Sequence, residues 1–545
     1  MPVIVSHRPE DRDAASNRHR RESIALVGIL MLAAALRLWQ IREPLWVDEL
    51  HTSWCVMESF REVAPRARMG NQSPLYFYLA WCSVRTLGPS EFSLRLPSLF
   101  AGLALIACSY RVVRQATTRP TLAPLLTALL LAVDSTAIFY AQEARPYAFV
   151  QWLGVLQIDA WCRAFGFTGT RSRSHAMRWI SLSLLLFFLH YTSLLVIGFQ
   201  IVVASIAVWF QSGVRLREKW TESLLLALPL AGPLAVMDHL RSIVSHADEW
   251  STMVPQDSLA ALHTALPQLP EILGSVLCLL LATGWSFVQR SDGVGNQRWR
   301  IYVAWSAQFA GPVAGAFAFT RLGLAPLLHL RYLILGATIP ALLIGFAATL
   351  LPTNRWRIVY LLVVGMLSVG RSPLPAQVMR DGRLLADRNE DWPSLVHELD
   401  DLGRRHSLRV LLFGNLVEDR RLQTARPAEL VEYLRFPLRG LYRPTRSEWA
   451  VIPFPTHAHT NFDALRLLPS TAHVDRLDLL PEDARDPSAA PRAPPALDRI
   501  VTVIRSGDQR LVRGIEEQLL ESRRLRFVRR VAFGRLWLTE FAPLP

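Results

Sequence analysis

A series of long apolar runs constrains this chain more than any other feature of its sequence. The runs lie between about residues 24 and 371, and short basic stretches separate them. An apolar run of about 20 residues can cross a bilayer as a helix, and only helices or closed barrels satisfy their backbone hydrogen bonds there. The pattern therefore predicts a mostly α-helical, polytopic transmembrane bundle.

Reading each apolar run as one helix gives about 11 spans. They lie near residues 24–41, 93–111, 120–140, 148–165, 179–190, 192–210, 221–240, 268–288, 301–319, 331–350 and 357–371. The pair over 179–210 is predicted to divide at His190–Tyr191, although about 32 residues must then supply two helices and a span normally needs roughly 20. A shorter apolar run over 74–88 is predicted to be an amphipathic helix at the outer interface.

The distribution of arginine sets the expected orientation. Lysine and arginine are enriched in cytoplasmic loops, and residues 1–23 are strongly basic. If 74–88 does not cross, the loops assigned to the cytoplasm are all basic, including those with Arg111 and Arg355. We therefore expect a multi-pass protein of the cell inner membrane with a cytoplasmic N-terminus. The net charge of +14 is explained by these loops and does not indicate nucleic acid as a partner.

The sequence predicts three regions: a cytoplasmic N-terminus (1–23), a transmembrane domain (24–371) and an extracytoplasmic α/β domain (372–545). In the last region Asp391–Trp392–Pro393 is typical of a helix start. Strands are expected over the segments 409–416, 501–507 and 526–541, which are rich in β-branched and aromatic residues. We find no nucleophile motif, phosphate loop or metal-ligand spacing in this region.

Polar side chains interrupt the apolar pattern at the loops predicted to be outside. The first of these loops contains LWVDELHTSW (45–54), and the second contains YAQEARPYA (140–148). Ionisable residues beside membrane spans are costly unless they have a function or reach water. The candidates are Asp48, Glu49, Glu143, Arg145, Tyr147, His190, Arg321, His329, Arg331 and Tyr332.

Carboxylates and arginines on one membrane face favour a particular chemistry. The guanidinium group binds phosphate through two charge-assisted hydrogen bonds, and a carboxylate can act as a general base toward a hydroxyl or an amine. A polyprenyl-phosphate lipid fits this chemistry, because it places a phosphate at the bilayer surface and a long apolar chain in the bilayer. We therefore expect transfer of a sugar from a polyprenyl-phosphate donor to a lipid, glycan or protein acceptor.

Each candidate also has a structural interpretation. Asp48 and Glu49 could cap a juxtamembrane helix, Glu143 and Arg145 could form a local ion pair, and the tyrosines fit an interfacial aromatic belt. Two other functions remain open, a lipid-linked-sugar transporter or flippase and a non-catalytic scaffold. A transporter would place charges deep inside its spans and show paired halves, whereas most charges here lie at span ends.

Four segments, in this order, resemble the GT-C superfamily of membrane glycosyltransferases, and in particular the group of protein O-mannosyltransferases and aminoarabinose–lipid A transferases. They are LWVDELHTSW, then 71–103, FYAQEARPYAFV (139–150) and HLRYLILGATIPALLIG (329–345). The resemblance implies that Asp48 is the catalytic carboxylate and Glu49 its partner. It also implies that Glu143 and Arg145 form the second-loop motif, and that Arg331 and Tyr332 lie near the donor phosphate.

The sequence departs from that family at two points. Asn71 stands where many relatives have histidine, and the second loop has Glu-Ala-Arg where some branches have aspartate. Carboxylates on separate loops could bind Mg²⁺ or Mn²⁺, but arginines can hold a phosphate alone. We therefore predict that no metal or other cofactor is required.

Overall fold

The computed structural model describes residues 9–544 except 118–120, 168–171, 211–214, 246–261, 263–264, 287–292, 424–427, 446–449, 454–498 and 524. The chain packs as two units, which do not follow the order of the sequence. Unit 1 comprises the described residues up to Ile41, Ser73–Tyr76 and those within Arg95–Ala386. Unit 2 comprises Arg42–Gln72, Phe77–Leu94 and the described residues from Asp387 onward.

Unit 1 is helical wherever it forms regular secondary structure in the described ranges. Its helices are α1 (Pro9–Leu38), most of α5 (Glu91–Ala116), α6 (Ala123–Val133), α7 (Ser135–Ala141), α8 (Tyr147–Ala164), α9 (Arg173–Leu189), α10 (Leu194–Trp209), α11 (Leu216–Ala227), α12 (Ala231–Ala235), α13 (Met237–Ser245), α14 (Leu269–Ser286), α15 (Gly293–Arg321), α16 (Ile339–Ala347), α17 (Asn354–Arg371) and α18 (Leu374–Asp381). The predicted division of 179–210 into two helices at His190–Tyr191 is confirmed.

The predicted number of about 11 spans is not confirmed. Among the described residues, two helices are long and apolar enough to cross a membrane, Glu91–Ala116 and Tyr191–Trp209, or up to five if each bent helix pair is one span. The predicted span 120–140 bends by 63° between α6 and α7. The predicted span 331–350 was wrong in extent, since regular α-helix covers only Ile339–Ala347 there. The residues just before this helix form turns and bends, and Arg331 lies in one of these turns, outside any helix.

A buried polar network joins four helices of unit 1. The Gln200 side chain on α10 accepts hydrogen bonds from Gln157 on α8 and from the Trp179 indole on α9. Its own amide donates to Gln157 and, over 2.9 Å, to Gln308 on α15. All four side chains are buried. Hydrogen bonds between helices hold such bundles together, because lipid provides no hydrophobic force between them.

Gln200→Leu is expected to lower the free energy of unfolding by about 1–3 kcal/mol, since it removes hydrogen bonds to the buried Gln157, Trp179 and Gln308 side chains. The measurement is thermal unfolding of the detergent-solubilised protein. Gln297→Leu, an exposed glutamine at the start of α15, is the matched control and should unfold like wild type. Equal unfolding temperatures for both variants would show that the network adds no stability.

Unit 2 combines helices with a five-stranded sheet. Its elements are α2 (Val47–Met57), α3 (Phe60–Met69), most of α4 (Leu75–Leu87), α19 (Trp392–Arg405), β1 (Leu408–Phe413), α20 (Ala428–Leu434), β2 (Ala450–Pro453), β3 (Arg499–Arg505), α21 (Gln509–Arg523), β4 (Leu525–Phe533) and β5 (Leu536–Pro543). The strand order is β2-β1-β3-β5-β4. Strands β1, β2 and β3 are parallel, and β5 is antiparallel to both β3 and β4.

The expectation of a small C-terminal α/β domain agrees with this sheet in most of its details. Asp391 accepts a hydrogen bond from the Ser394 backbone N–H over 3.2 Å, so the predicted helix start is confirmed. The single predicted strand over 526–541 was wrong, because it is a hairpin of β4 and β5. Gly534 makes this turn with a φ of +70°, a conformation that glycine adopts without strain. Strand β2 was not predicted.

Asp419 is a buried carboxyl group whose protonation should affect the stability of unit 2. Burial, reinforced by the negative charge of Glu418, raises the pKa of Asp419 to about 8. In the unfolded chain this pKa is about 4, so the folded state holds an extra proton between these values. The resulting stabilisation is complete below about pH 4 and is lost as the pH rises through about 8.

Asp419→Asn keeps an acceptor for the Leu416 backbone N–H, which donates to Asp419 over 2.7 Å, but it cannot ionise. We expect the variant to unfold at a higher temperature than wild type at pH 9, and this advantage to shrink by pH 6. Thermal unfolding of the full chain across this range measures the difference. Glu517→Gln, at an exposed position on α21, should show no such trend, and parallel curves for Asp419→Asn would contradict the assignment.

Candidate functional site

The first candidate region is the beginning of α2 in unit 2, which carries the adjacent residues Asp48 and Glu49. Both lie in the first helical turn, where the helix dipole stabilises negative charge. Their environments differ. Asp48 is half-buried, whereas the Glu49 side chain is fully buried and forms an ion pair with Arg388 over 3.6 Å. Asp48 is therefore the carboxylate that a substrate could reach, and Glu49 is held in place.

The C-terminal part of unit 2 fixes the backbone of α2. Glu390 is 6% exposed, and its Oε2 accepts hydrogen bonds from the Val47 N–H at 3.1 Å and the Trp392 indole at 3.0 Å. Its Oε1 accepts from Arg505 at 2.7 Å. Tyr442 makes a further hydrogen bond to this segment, since its hydroxyl accepts from the Leu45 N–H over 3.0 Å. These contacts give the C-terminal sheet a role in positioning the helix that carries Asp48.

Unit 2 also contains a cavity beside the end of α2. Its volume is about 560 Å³, and its lining mixes arginine, glutamate and aromatic side chains, among them Trp54, Arg66, Glu432, Arg439 and Arg443. The Arg66 guanidinium lies over the Trp54 ring at 4.8 Å from the centroid and donates to the Trp54 carbonyl at 2.8 Å. The unit that carries Asp48 therefore has a cavity large enough for a small polar ligand.

The second candidate region is a cluster of tyrosine, histidine and arginine side chains in unit 1, the arginine–tyrosine cluster: Tyr140, Arg145, Tyr147, His190 and Arg331. The ring centroids of Tyr140 and Tyr147 are 4.9 Å apart, and those of Tyr147 and His190 are 5.5 Å apart. The Arg331 guanidinium lies 6.0 Å from the Tyr147 centroid, and its positive charge acts on the Tyr140 hydroxyl. The charges of Arg145 and Arg331 both act on His190.

A tight turn between α7 and α8 brings Glu143 and Arg145 into this part of the fold. The Arg145 N–H donates to the Glu143 carbonyl over 2.7 Å, and the Arg145 carbonyl accepts from the Ser98 hydroxyl over 3.0 Å. Glu143 is fully buried and Arg145 is 5% exposed. Burial strengthens electrostatic interactions, so the negative and positive charges of this turn strongly affect any group bound beside it.

The remaining predicted residues differ in their relation to the cluster. Burial, together with the positive charge of Arg331, lowers the pKa of His329 to about 4. His329 is therefore neutral at physiological pH, and its Nδ1 accepts from the Arg331 N–H over 3.2 Å. The Tyr332 ring packs against His329 at 5.6 Å. Arg321 is exposed at the end of α15, and no ring contact or ion pair among the described residues joins it to the cluster.

Sequence reasoning missed several residues that the structure adds to these regions. Tyr140 lies inside the second-loop motif, but its apolar neighbours made it look like part of a span. Arg388, Glu390 and Tyr442 lie far along the chain from α2, and no local pattern marks them as its partners. The only available signal was the dense charge of DRNED (387–391) directly before a helix start.

A metal site would need several ligands placed together. Among the described residues, no group of three or more His, Cys, Asp or Glu side chains could hold a metal ion. The predicted independence from a metal was inferred from the motifs and remains a prediction.

The solved structures that are similar to this chain include ArnT and AglB. ArnT from Cupriavidus metallidurans matches in its apo state with a TM-score of 0.39 and 11% identity over 96% of this chain and 98% of that one. Bound to undecaprenyl phosphate, ArnT matches with a TM-score of 0.39 and 12% identity over 95% and 97%. The oligosaccharyltransferase AglB from Archaeoglobus fulgidus, in complex with an inhibitory peptide and a dolichol-phosphate, has a TM-score of 0.44 and 9% identity over 88% and 69%.

No protein-family model matches the chain, and no curated protein matches its sequence.

Proposed function

We propose that this protein is a membrane glycosyltransferase that moves a sugar from a polyprenyl-phosphate donor to an acceptor on the outer face of the cytoplasmic membrane. The observation that carries the proposal is the arginine–tyrosine cluster in the apolar helical unit. Two guanidinium groups, Arg145 and Arg331, act on one His190 ring. Guanidinium groups bind phosphate through two charge-assisted hydrogen bonds, and a lipid phosphate matches both the positive charge and the apolar surroundings of this cluster.

The proposed reaction is a substitution at the anomeric carbon of the sugar. A hydroxyl or amine of the acceptor attacks this carbon, and the bond from the carbon to the phosphate oxygen breaks. The phosphate leaves with the bonding electrons, and Arg145 and Arg331 stabilise its charge. Asp48 takes the proton of the attacking group as the general base. We assign Glu49 and Glu143 as assisting carboxylates, and Tyr147, His190, His329 and Tyr332 as residues that shape the phosphate site.

Polyprenyl-phosphate binding is the direct test of this function. Purified full-length protein in nanodiscs should bind undecaprenyl phosphate, and it should release the same lipid phosphate from a sugar-bearing donor only when an acceptor is present. Mass spectrometry of envelope lipids and glycans from a deletion strain would identify the missing product. A protein that binds the lipid but leaves the envelope and the donor unchanged would be a scaffold, and one that only moves the intact donor across a bilayer would be a flippase.

A further inference from the structure

A second cavity lies among the helices of unit 1. Its volume is about 310 Å³, which is within the range of small-molecule sites. The walls come from the junction of α6 and α7, from α8, α14 and α16, and from the junction of α17 and α18. Most of the lining is apolar, with residues such as Leu131, Val133 and Ile344. No predicted site residue lines it, so the site described above does not account for it.

Two buried polar side chains in this wall have atoms without a hydrogen-bond partner. Gln151 is 2% exposed and Thr338 is 1% exposed. The Oε1 atom of Gln151 and the Oγ1 atom of Thr338 find no partner among the described residues. Buried polar atoms in folded proteins are normally hydrogen-bonded, and leaving one unpaired is costly. Both atoms can accept from an O–H or N–H donor, which indicates a ligand that carries such donors.

The charge of the lining narrows the chemistry of that ligand. Asp134 and Glu271 contribute carboxylates, and Gln268 contributes a second amide. No lysine, arginine or histidine is present among the described residues that line the cavity. A phosphate or carboxylate group would meet repulsion there, whereas hydroxyl and ammonium groups would find acceptors. The lining is therefore suited to a neutral sugar or an amino sugar.

The position of the cavity connects it to the arginine–tyrosine cluster. Gln151 and Tyr147 both lie on α8, four residues apart, so they occupy the same face of the helix one turn from each other. Tyr147 is the residue whose ring lies under Arg331. Thr338 follows Arg331 at the start of α16. A ligand with a phosphate at the cluster would therefore place its next chemical group near this cavity.

We propose that the 310 Å³ cavity binds the sugar ring of the lipid-linked donor and selects a neutral or amino sugar over a uronic acid or a phosphorylated sugar. This inference rests on the proposed function, because it takes the phosphate of the same donor to lie at the arginine–tyrosine cluster. Gln151 and Thr338 would hydrogen-bond the sugar hydroxyls, and the apolar walls would pack against its ring.

The test compares two lipids that differ only in the sugar. Dissociation constants for undecaprenyl phosphate and for undecaprenyl phosphate carrying a hexose are measured with full-length protein in nanodiscs. We expect the hexose to tighten binding to wild type. Gln151→Leu and Thr338→Val should each weaken binding of the hexose-bearing lipid by roughly tenfold and leave the affinity for the bare lipid phosphate unchanged, which also shows that the variants are folded.

Thr127→Val is the matched control, because Thr127 is fully buried on α6 but does not line the cavity. It should leave both affinities unchanged. The same lipid carrying a uronic acid should bind wild type no more tightly than the bare phosphate. If wild type binds no undecaprenyl phosphate, the proposed function itself fails. If it binds the lipid but the Gln151 and Thr338 variants keep the full gain from the hexose, or the uronic acid binds as tightly as the hexose, the sugar assignment is overturned.

Discussion

Asp48→Asn is expected to lower the rate of sugar transfer by roughly a hundredfold to ten-thousandfold, because a neutral amide cannot take a proton from the acceptor. The fold should not change, since Asp48 is half-buried in the first turn of α2 and asparagine keeps its shape. Initial rates with a polyprenyl-phosphate sugar and saturating acceptor measure the effect. The affinity for the donor should stay near the wild-type value, because the lipid phosphate is assigned to other residues.

Variants of two other carboxylates of unit 2 distinguish a general-base role of Asp48 from a general effect of removing negative charge. Glu62→Gln on α3 removes a carboxylate that is 51% exposed, and it should leave both rate and stability unchanged. Glu49→Gln breaks the buried pair with Arg388, so we expect it to lower the unfolding temperature, because removing one partner of such a pair leaves a buried charge uncompensated. A near-normal rate for Asp48→Asn would remove Asp48 as the general base.

The sequence predicted helices well where a polar residue interrupts an apolar run. His190 and Tyr191 divide 179–210 at the point where α9 ends and a turn precedes α10. The prediction failed over 331–350, where the run is just as apolar but regular helix begins only at Ile339. Hydropathy reports the solvent that a segment prefers and not its backbone conformation. It therefore could not show that Arg331 lies in a non-helical turn.

The contacts that position α2 could not be predicted from local sequence patterns, because they join residues that are far apart in the chain. Val47 and Glu390 are 343 residues apart in sequence, and Leu45 and Tyr442 are 397 apart. No periodicity within one segment specifies which distant side chain will satisfy a backbone N–H group. The sequence could indicate that Asp48 and Glu49 needed partners, because charges beside apolar residues are costly. It could not indicate that Glu49 would be fully buried and paired with Arg388.

The arginine–tyrosine cluster contains residues found from a local motif and contacts that depend on distant parts of the chain. Arg145 and Tyr147 were found because they form one motif in one loop, and Arg331 was found because it lies at another loop predicted to be outside. Their meeting with His190 was expected only from a topology in which all three loops lie on one membrane face. The structure brings these side chains together within unit 1, whereas Arg321, chosen by the same reasoning, is exposed. Position along a span end therefore cannot distinguish a ligand from an anchor.

Arg331→Lys is expected to weaken binding of undecaprenyl phosphate by roughly tenfold to a hundredfold, although the charge is kept. An ammonium group cannot form two parallel hydrogen bonds to a phosphate, and charge-assisted hydrogen bonds are worth about 1.5–3 kcal/mol. The substitution also removes the guanidinium that lies 6.0 Å from the Tyr147 centroid. The dissociation constant of the lipid measures the first effect, and the transfer rate at saturating donor measures the loss of leaving-group stabilisation.

Arg331→Gln should lose more than the lysine variant on both measures, since it removes the charge as well as the geometry. Arg300→Gln provides the matched control, because Arg300 is an exposed arginine on α15 and has no assigned role in the phosphate site. Its affinity and rate should equal those of wild type. If Arg331 acts only as an interfacial anchor, the lysine variant will bind and transfer normally, because a lysine side chain reaches the interface equally well. A decrease in both lipid affinity and transfer rate from wild type to the lysine variant, and again to the glutamine variant, is thus the result expected if Arg331 binds the phosphate.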